Sequence, residues 1–385
     1  MVESRDAPLP FLERLGMVVL QRTRAHAPVA GEDDPIHVLN VDERRELRRI
    51  ERRAVRRAAT AGALSGLASA AAAIWAHRWI GADGAPNSAG DGARFWAVVG
   101  AATLVASVFE IGFLYWDALR SVHAMATAAG LRVSTDSRSG EQREVALALA
   151  RAALELPNPP GRVCGVDPHR ESIRWRVVLG SLLYKAKIAL TTFLLKGGMR
   201  SLLGQVMGRA VLELVTVPVT AIWNAVVCFL VVREARLRTM GPSAAVELIG
   251  HTLAEGPPTP AARIAAFRSI ASAVVRTQDL HPNHHALLRV MVERLGPVDF
   301  DDVDDAGRFL DEVRALDGAD QRLVLRLLVI AAVIDGKLTR AERRLLGDAF
   351  NACGRPLALD RVERLRKAFC AGDGLNFALV RELVE

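Results

Sequence analysis

Two groups of residues have the types and spacing to do chemistry. His281, His284 and His285 form one, and Asp335 with Glu342 the other. Histidines three and four positions apart share a helix face and can offer imidazole nitrogens to one zinc ion. Asp335 or Glu342 would supply a further ligand. The competing reading of the histidines is an exposed helix start with Pro282 in its first turn. The competing reading of the acids is equally plain. Asp335-Gly336 is a tight break between two helices, and Thr339 with Glu342 three positions on spells a capping box.

The Asp-Gly break also looks like half a calcium-binding EF-hand loop. With Gly336 at the sixth loop position, Asp335 and Glu342 hold the fifth and twelfth. Ala331 and Val333 then hold the first and third, and neither can ligate calcium. The aspartates between Asp299 and Asp305 precede Phe309, Leu310 and Val313 of a helix, so they read as caps and dipole partners. Cys164, Cys228, Cys353 and Cys370 lack any zinc-like spacing and read as reduced structural thiols. No nucleophile elbow, zinc-protease helix or phosphate loop occurs, so the chain reads as a non-enzyme without a resident cofactor, a divalent metal on the acids and histidines being the one exception.

A third set of charges lies inside apolar stretches: Glu110, Lys185, Lys187 and Glu213. Ionisable groups at such depth are costly and mark pairs or polar routes. Glu110 lies roughly 9 Å from the inner end of its stretch at 1.5 Å per residue, within reach of Lys185. Lys187 points the other way, so one acid cannot serve both lysines. The alternative is a helix lying partly in the interface, with both lysines snorkelling.

The elements that carry these residues fall into two kinds. Arginine pairs run from Arg44 to Arg57, and Ala58 to Ala76 then carries no charge. About 20 apolar residues cross a bilayer core, and arginine beside such a span keeps its end in the cytoplasm. Asp42 is the expected cap of this helix. Arg48, Arg49, Arg52, Arg53, Arg56 and Arg57 are the candidate contacts to anionic lipid headgroups. The chain has a mean hydropathy of +0.19, a net charge of +7 and 24% charged residues, as expected for an apolar part joined to a solvated one. Because the positive charge gathers beside apolar sequence, nucleic acid is not the expected partner.

The boundaries follow. Residues 1–57 are a cytoplasmic segment, with a short amphipathic helix at 8–24. Residues 58–116 form a membrane hairpin with spans 58–79 and 95–116. Residues 117–174 connect in the cytoplasm. Residues 175–232 form a second hairpin with spans 175–195 and 210–232, although its turn is more basic than an outer loop should be. Residues 233–260 are a juxtamembrane helix, starting afresh at Pro242, and a linker. Gly62 to Gly66 has the small-residue spacing that lets helices approach closely.

From Ala261 the pattern is all helical, with apolar residues at three- and four-residue steps. The phrase of an apolar helix, Asp335-Gly336, a short turn and Glu342 resembles the helical domain of tellurite-resistance protein B and its relatives. The resemblance covers about 261–385. It implies a compact module of two pseudo-repeats, metal binding by acidic residues of the motif in some members, and attachment to membrane segments or stress-response systems. With an offset of 58, Ser272 to Leu288 aligns with Ile330 to Leu346. The apolar frame matches, whereas Thr277, Gln278 and His284 replace Asp335, Gly336 and Glu342.

The expectation is therefore an all-α protein of the inner membrane with four spans, both termini cytoplasmic and a cytoplasmic helical domain. Its expected role is that of a membrane-tethered adaptor or a stress- or metal-response scaffold. The domain would recruit a protein partner, and a homo-oligomer is compatible. The second reading is a small transporter or channel subunit that uses the intramembrane charges.

Overall fold

The structure is a computed structural model and describes residues 37–80, 89–131, 140–154, 165–168, 209–298 and 303–385. All its elements are helices: α1 (Val41–Ile80), α2 (Ala89–Ala128), the short α3 (Gly140–Ala153) and α4 (Arg209–Leu253) come first. The three long ones have 40, 40 and 45 residues. At 1.5 Å per residue each runs for about 60 Å or more, twice a bilayer's hydrocarbon thickness. The apolar stretches are thus sections of helices that continue into charged sequence.

Two boundaries differ from expectation. Asn40, not Asp42, caps α1: its Oδ1 accepts from the Asp42 and Glu43 amides at 2.9 Å each. Asp42 instead pairs with Arg45 at 2.8 Å. Gly241-Pro242 starts no new helix, because α4 runs straight through it. A proline inside a helix removes one ladder bond. Here Leu237, Met240, Ala245, Leu248 and Ile249 are buried on both sides of it, and that packing outweighs the lost bond.

Contacts divide the chain into two units. One comprises Arg49–Ser121 and Val178–Val232. Within it α1 meets α4 at Gly62 and Gly66. A Cβ on Gly62 would stand 2.6 Å from the Thr220 carbonyl oxygen, so only glycine permits this approach. Thr220 Oγ1 donates to the Gly62 carbonyl at 2.9 Å. Arg57 Nε reaches Asp117 of α2 at 2.7 Å, and its Nη2 donates to Ser121 at 3.0 Å. The outward side chains are large and apolar: Leu64, Leu67, Leu104, Val108, Ile222 and Phe109, the last 75% exposed. By length and composition three helices can cross a membrane, at Val41–Ala76, Ala97–Ala128 and Val217–Leu253. The expected span at 175–195, the helix at 8–24 and Cys164 lie outside the described residues.

The other unit comprises Met1–Arg48, Val122–Val177 and Arg233–Glu385. Its helices are α5 (Pro260–Thr277), α6 (Pro282–Leu295), α7 (Ala306–Ala315), α8 (Gly318–Val333), α9 (Arg340–Ala352), α10 (Leu359–Ala371) and α11 (Phe377–Val384). All but α10 are capped locally at their starts, by Thr259, His281, Asp305, Asp317, Thr339 and Asn376. Phe267, Ile270, Val274, Leu327, Leu328, Ile330 and Phe350 fill the core where α5 packs on α8. The offset of 58 recurs in the backbone: α5 and α8 start at 260 and 318, and α6 and α9 at 282 and 340. The caps obey it too, Thr259 with Asp317 and His281 with Thr339.

Candidate functional site

The two repeats bring their turns together. The first turn contributes Asp279, His281, Asn283 and His284, and the second Asp335, Lys337, Thr339 and Glu342. His281, Asn283, His284 and Glu342 have no exposed surface, and Asp335 has 1%. The expected exposed helix start at His281 is therefore wrong. Pro282 does open α6, but α4, through Glu234 and Leu237, and the second turn cover it.

Each of these buried side chains makes at least one hydrogen bond. Nδ1 of His281 accepts from the Asn283 amide at 3.2 Å, which makes Nε2 the donor to Glu234 of α4 at 3.0 Å. Glu234 also pairs with Arg238 at 2.9 Å. Asn283 Nδ2 donates to the carbonyls of Leu237 at 3.0 Å and Ile334 at 2.7 Å, tying α6 to α4 and α8. His284 Nε2 donates to the Ala331 carbonyl at 2.8 Å. The Asp-Gly break is closed by Asp335 Oδ1, which accepts from the Lys337 amide at 2.8 Å. The capping box is present in full, with the Thr339 amide donating to Glu342 Oε2 at 2.7 Å. Gly336 has φ 76°, a left-handed backbone that fits glycine.

Electrostatics set the protonation. Burial, and then the Asp335 charge, push Glu342 up to about 8. Its carboxyl is therefore neutral near pH 7, which is how an acid tolerates this interior. Burial lowers the pKa of His284, with Asp335 opposing. Burial also works against the charge of Lys337, but Asp279, Asp335 and Glu234 outweigh it and hold its pKa above the ordinary value.

Asp335, Glu342, His281, His284 and His285 are the expected metal ligands. Asp335 Oδ2, Glu342 Oε1 and His284 Nδ1 are buried and lack hydrogen-bond partners. Yet among the described residues no three His, Cys, Asp or Glu side chains are grouped so as to hold an ion. The second nitrogen of His281 is committed to Glu234, and His285 is only partly buried at the rim.

Elsewhere the structure sorts the candidate residues. Glu110 accepts from Asn224 Nδ2 on α4. Lys185 and Lys187 lie outside the described residues, as does the side chain of Glu213. Among the six arginines, Arg49, Arg52, Arg53 and Arg56 are exposed. Arg57 is engaged with Asp117, and Arg48 turns to the end of α10, where its Nη1 reaches the Gly372 carbonyl at 2.8 Å and Asp373 at 2.6 Å. Arg44 bonds the Asp373 carbonyl at 3.1 Å and Glu247 at 3.0 Å, and Arg236 donates to the carbonyls of Cys370 and Ala371. Three arginines from α1 and α4 thus satisfy the open carbonyls at the negative end of α10.

Sequence reasoning missed this collar, together with Glu234 and Asn283. No local pattern marks them, because each partner lies tens or hundreds of positions away. No family model matches the chain, and neither the curated proteins nor the solved structures contain a match to it. The likeness to the tellurite-resistance B domain rests on the residues alone.

Proposed function

We propose that this chain is a multi-pass protein of the cytoplasmic membrane, with both termini inside, acting as a non-enzymatic adaptor that holds a two-repeat helical domain at the inner leaflet. One observation carries the reading: the outward faces of three long helices are covered with bare Leu, Val, Ile and Phe side chains. A soluble monomer rarely leaves so large an apolar surface in water. The arginines that precede Ala58 support the orientation. The tellurite-resistance B-like phrase supports a place in a stress or metal response, with a protein partner on the helical domain. Alkaline carbonate extraction tests the anchoring, and the protein should stay with the membranes. Protease added to inverted vesicles, but not to spheroplasts, should remove residues 261–385. Release by carbonate, or cleavage from outside, would overturn the reading.

A second reading, a small transporter or channel subunit, draws on the bond between Glu110 and Asn224 amid apolar residues. Flux through proteoliposomes that is lost in Glu110→Gln, with folding intact, would favour it over the adaptor.

A further inference from the structure

The exposed face of α1 changes character along its length. Arg49, Arg52, Arg53 and Arg56 are all exposed, and at 3.6 residues per turn they fall within a sector of about 100°. They rise over about 10 Å of helix axis. Glu51, the one acid among them, is 6% exposed and lies on the opposite, buried face with Ala54 and Ala58. Further along, the arginine-bearing side presents Leu64, Leu67 and Ile74, which are 66%, 48% and 39% exposed. One helix face therefore passes from guanidinium to hydrocarbon within two turns or so.

The neighbouring helix repeats the change at the same level. The 2.7 Å pair of Arg57 with Asp117 sets α2 beside α1. On one side of Asp117, Phe109, Phe113 and Trp116 are exposed, and on the other Arg120 lies over the Trp116 ring at 5.4 Å. An acidic protein or a free anion would explain the arginines but not the apolar surface that continues them. A phospholipid explains both, because its phosphate and its chains follow each other along the bilayer normal.

We propose that Arg49, Arg52, Arg53 and Arg56 are a binding face for the phosphates of anionic phospholipids, whereas Arg57 acts as an internal strut. This rests on the membrane reading above and adds lipid selectivity to it. Guanidinium forks suit phosphate oxygens bidentately, so the selection is for anionic over zwitterionic headgroups. The full-length protein in nanodiscs of phosphatidylcholine with a minority of phosphatidylglycerol provides the test, with spin-labelled lipids reporting the boundary layer. Phosphatidylglycerol should be enriched about fivefold or more at low salt, falling as salt screens the arginines. Arg49→Gln, Arg52→Gln, Arg53→Gln and Arg56→Gln together should bring the ratio close to one. The matching Arg→Lys set guards against misfolding and should keep most of the enrichment. Equal occupancy by both lipids in the wild type, or enrichment that is insensitive to salt or unchanged in the Gln set, would overturn the proposal while leaving the protein in the membrane. A chain that does not enter the nanodisc would overturn the membrane reading itself.

Discussion

Gln278 and Gly336, 58 positions apart, hold the same left-handed backbone, with φ of 55° and 76°. Gln278 is the one non-glycine residue with positive φ among the described residues. It closes α5 as Gly336 follows α8, and its amide donates to the Val275 carbonyl.

Replacing the strained residue should help. Gln278→Gly is expected to raise stability by about 1 kcal/mol, since left-handed backbone disfavours a Cβ. Gly336→Ala should lower it by more, because a Cβ there would also stand 2.7 Å from Leu237 Cδ1. Thermal midpoints of the two variants in detergent should move in opposite directions.

Much of this fold could be read from residue order, and for physical reasons. The change at Ala58 from arginine to apolar residues, the capping box at Thr339 and the 58-residue offset are all local or periodic signals. So was the Gly62–Gly66 spacing, weak as it is in an alanine-rich helix. The arginines were harder, because at helical spacing each looks the same. Which of them meets Asp117, Asp373 or solvent depends on chain segments far away. His281 and His284 misled for the opposite reason. A polar helix start reads as exposed until α4 and the second turn are laid over it. Likewise, Gly241-Pro242 reads as a break unless the packing on both sides is known.

The state of Glu342 makes stability depend on pH. Folded, it holds its proton up to about 8, whereas its ordinary value is 4.5. Between those limits the native state binds the extra proton, so stability falls as pH rises and levels off above about 8. His284, with its pKa lowered from 6.5, pulls the other way below that value. The Glu342 slope should therefore stand alone from roughly pH 7 to 8. Glu342→Gln should flatten that slope in denaturant midpoints measured across the window.

Asn283 bridges two buried carbonyls, those of Leu237 and Ile334. Asn283→Ala leaves both without their side-chain donor and should cost about 2–3 kcal/mol. Hydrogen exchange should quicken at the α6 start and beside the α8–α9 break, more than in α10.

Helix approach at Gly62 leaves no room for a methyl group. Gly62→Ala should destabilise the long-helix unit by about 1–3 kcal/mol, the usual range for overpacking. Gly100→Ala makes a fair control, since nothing lies within 4 Å of a Cβ there. Steric trapping or thermal melting in detergent would separate the two, and equal behaviour would count against the packing described.

Lys337 Nζ meets Asp279 at 3.0 Å, across matching places in the two repeats. Two copies of the first repeat would set aspartate against aspartate there, and two copies of the second would set lysine against lysine. At this contact the two halves are complementary and not interchangeable. Whatever ancestry the doubling has, its members have become complementary at this place, like a key cut to a single lock.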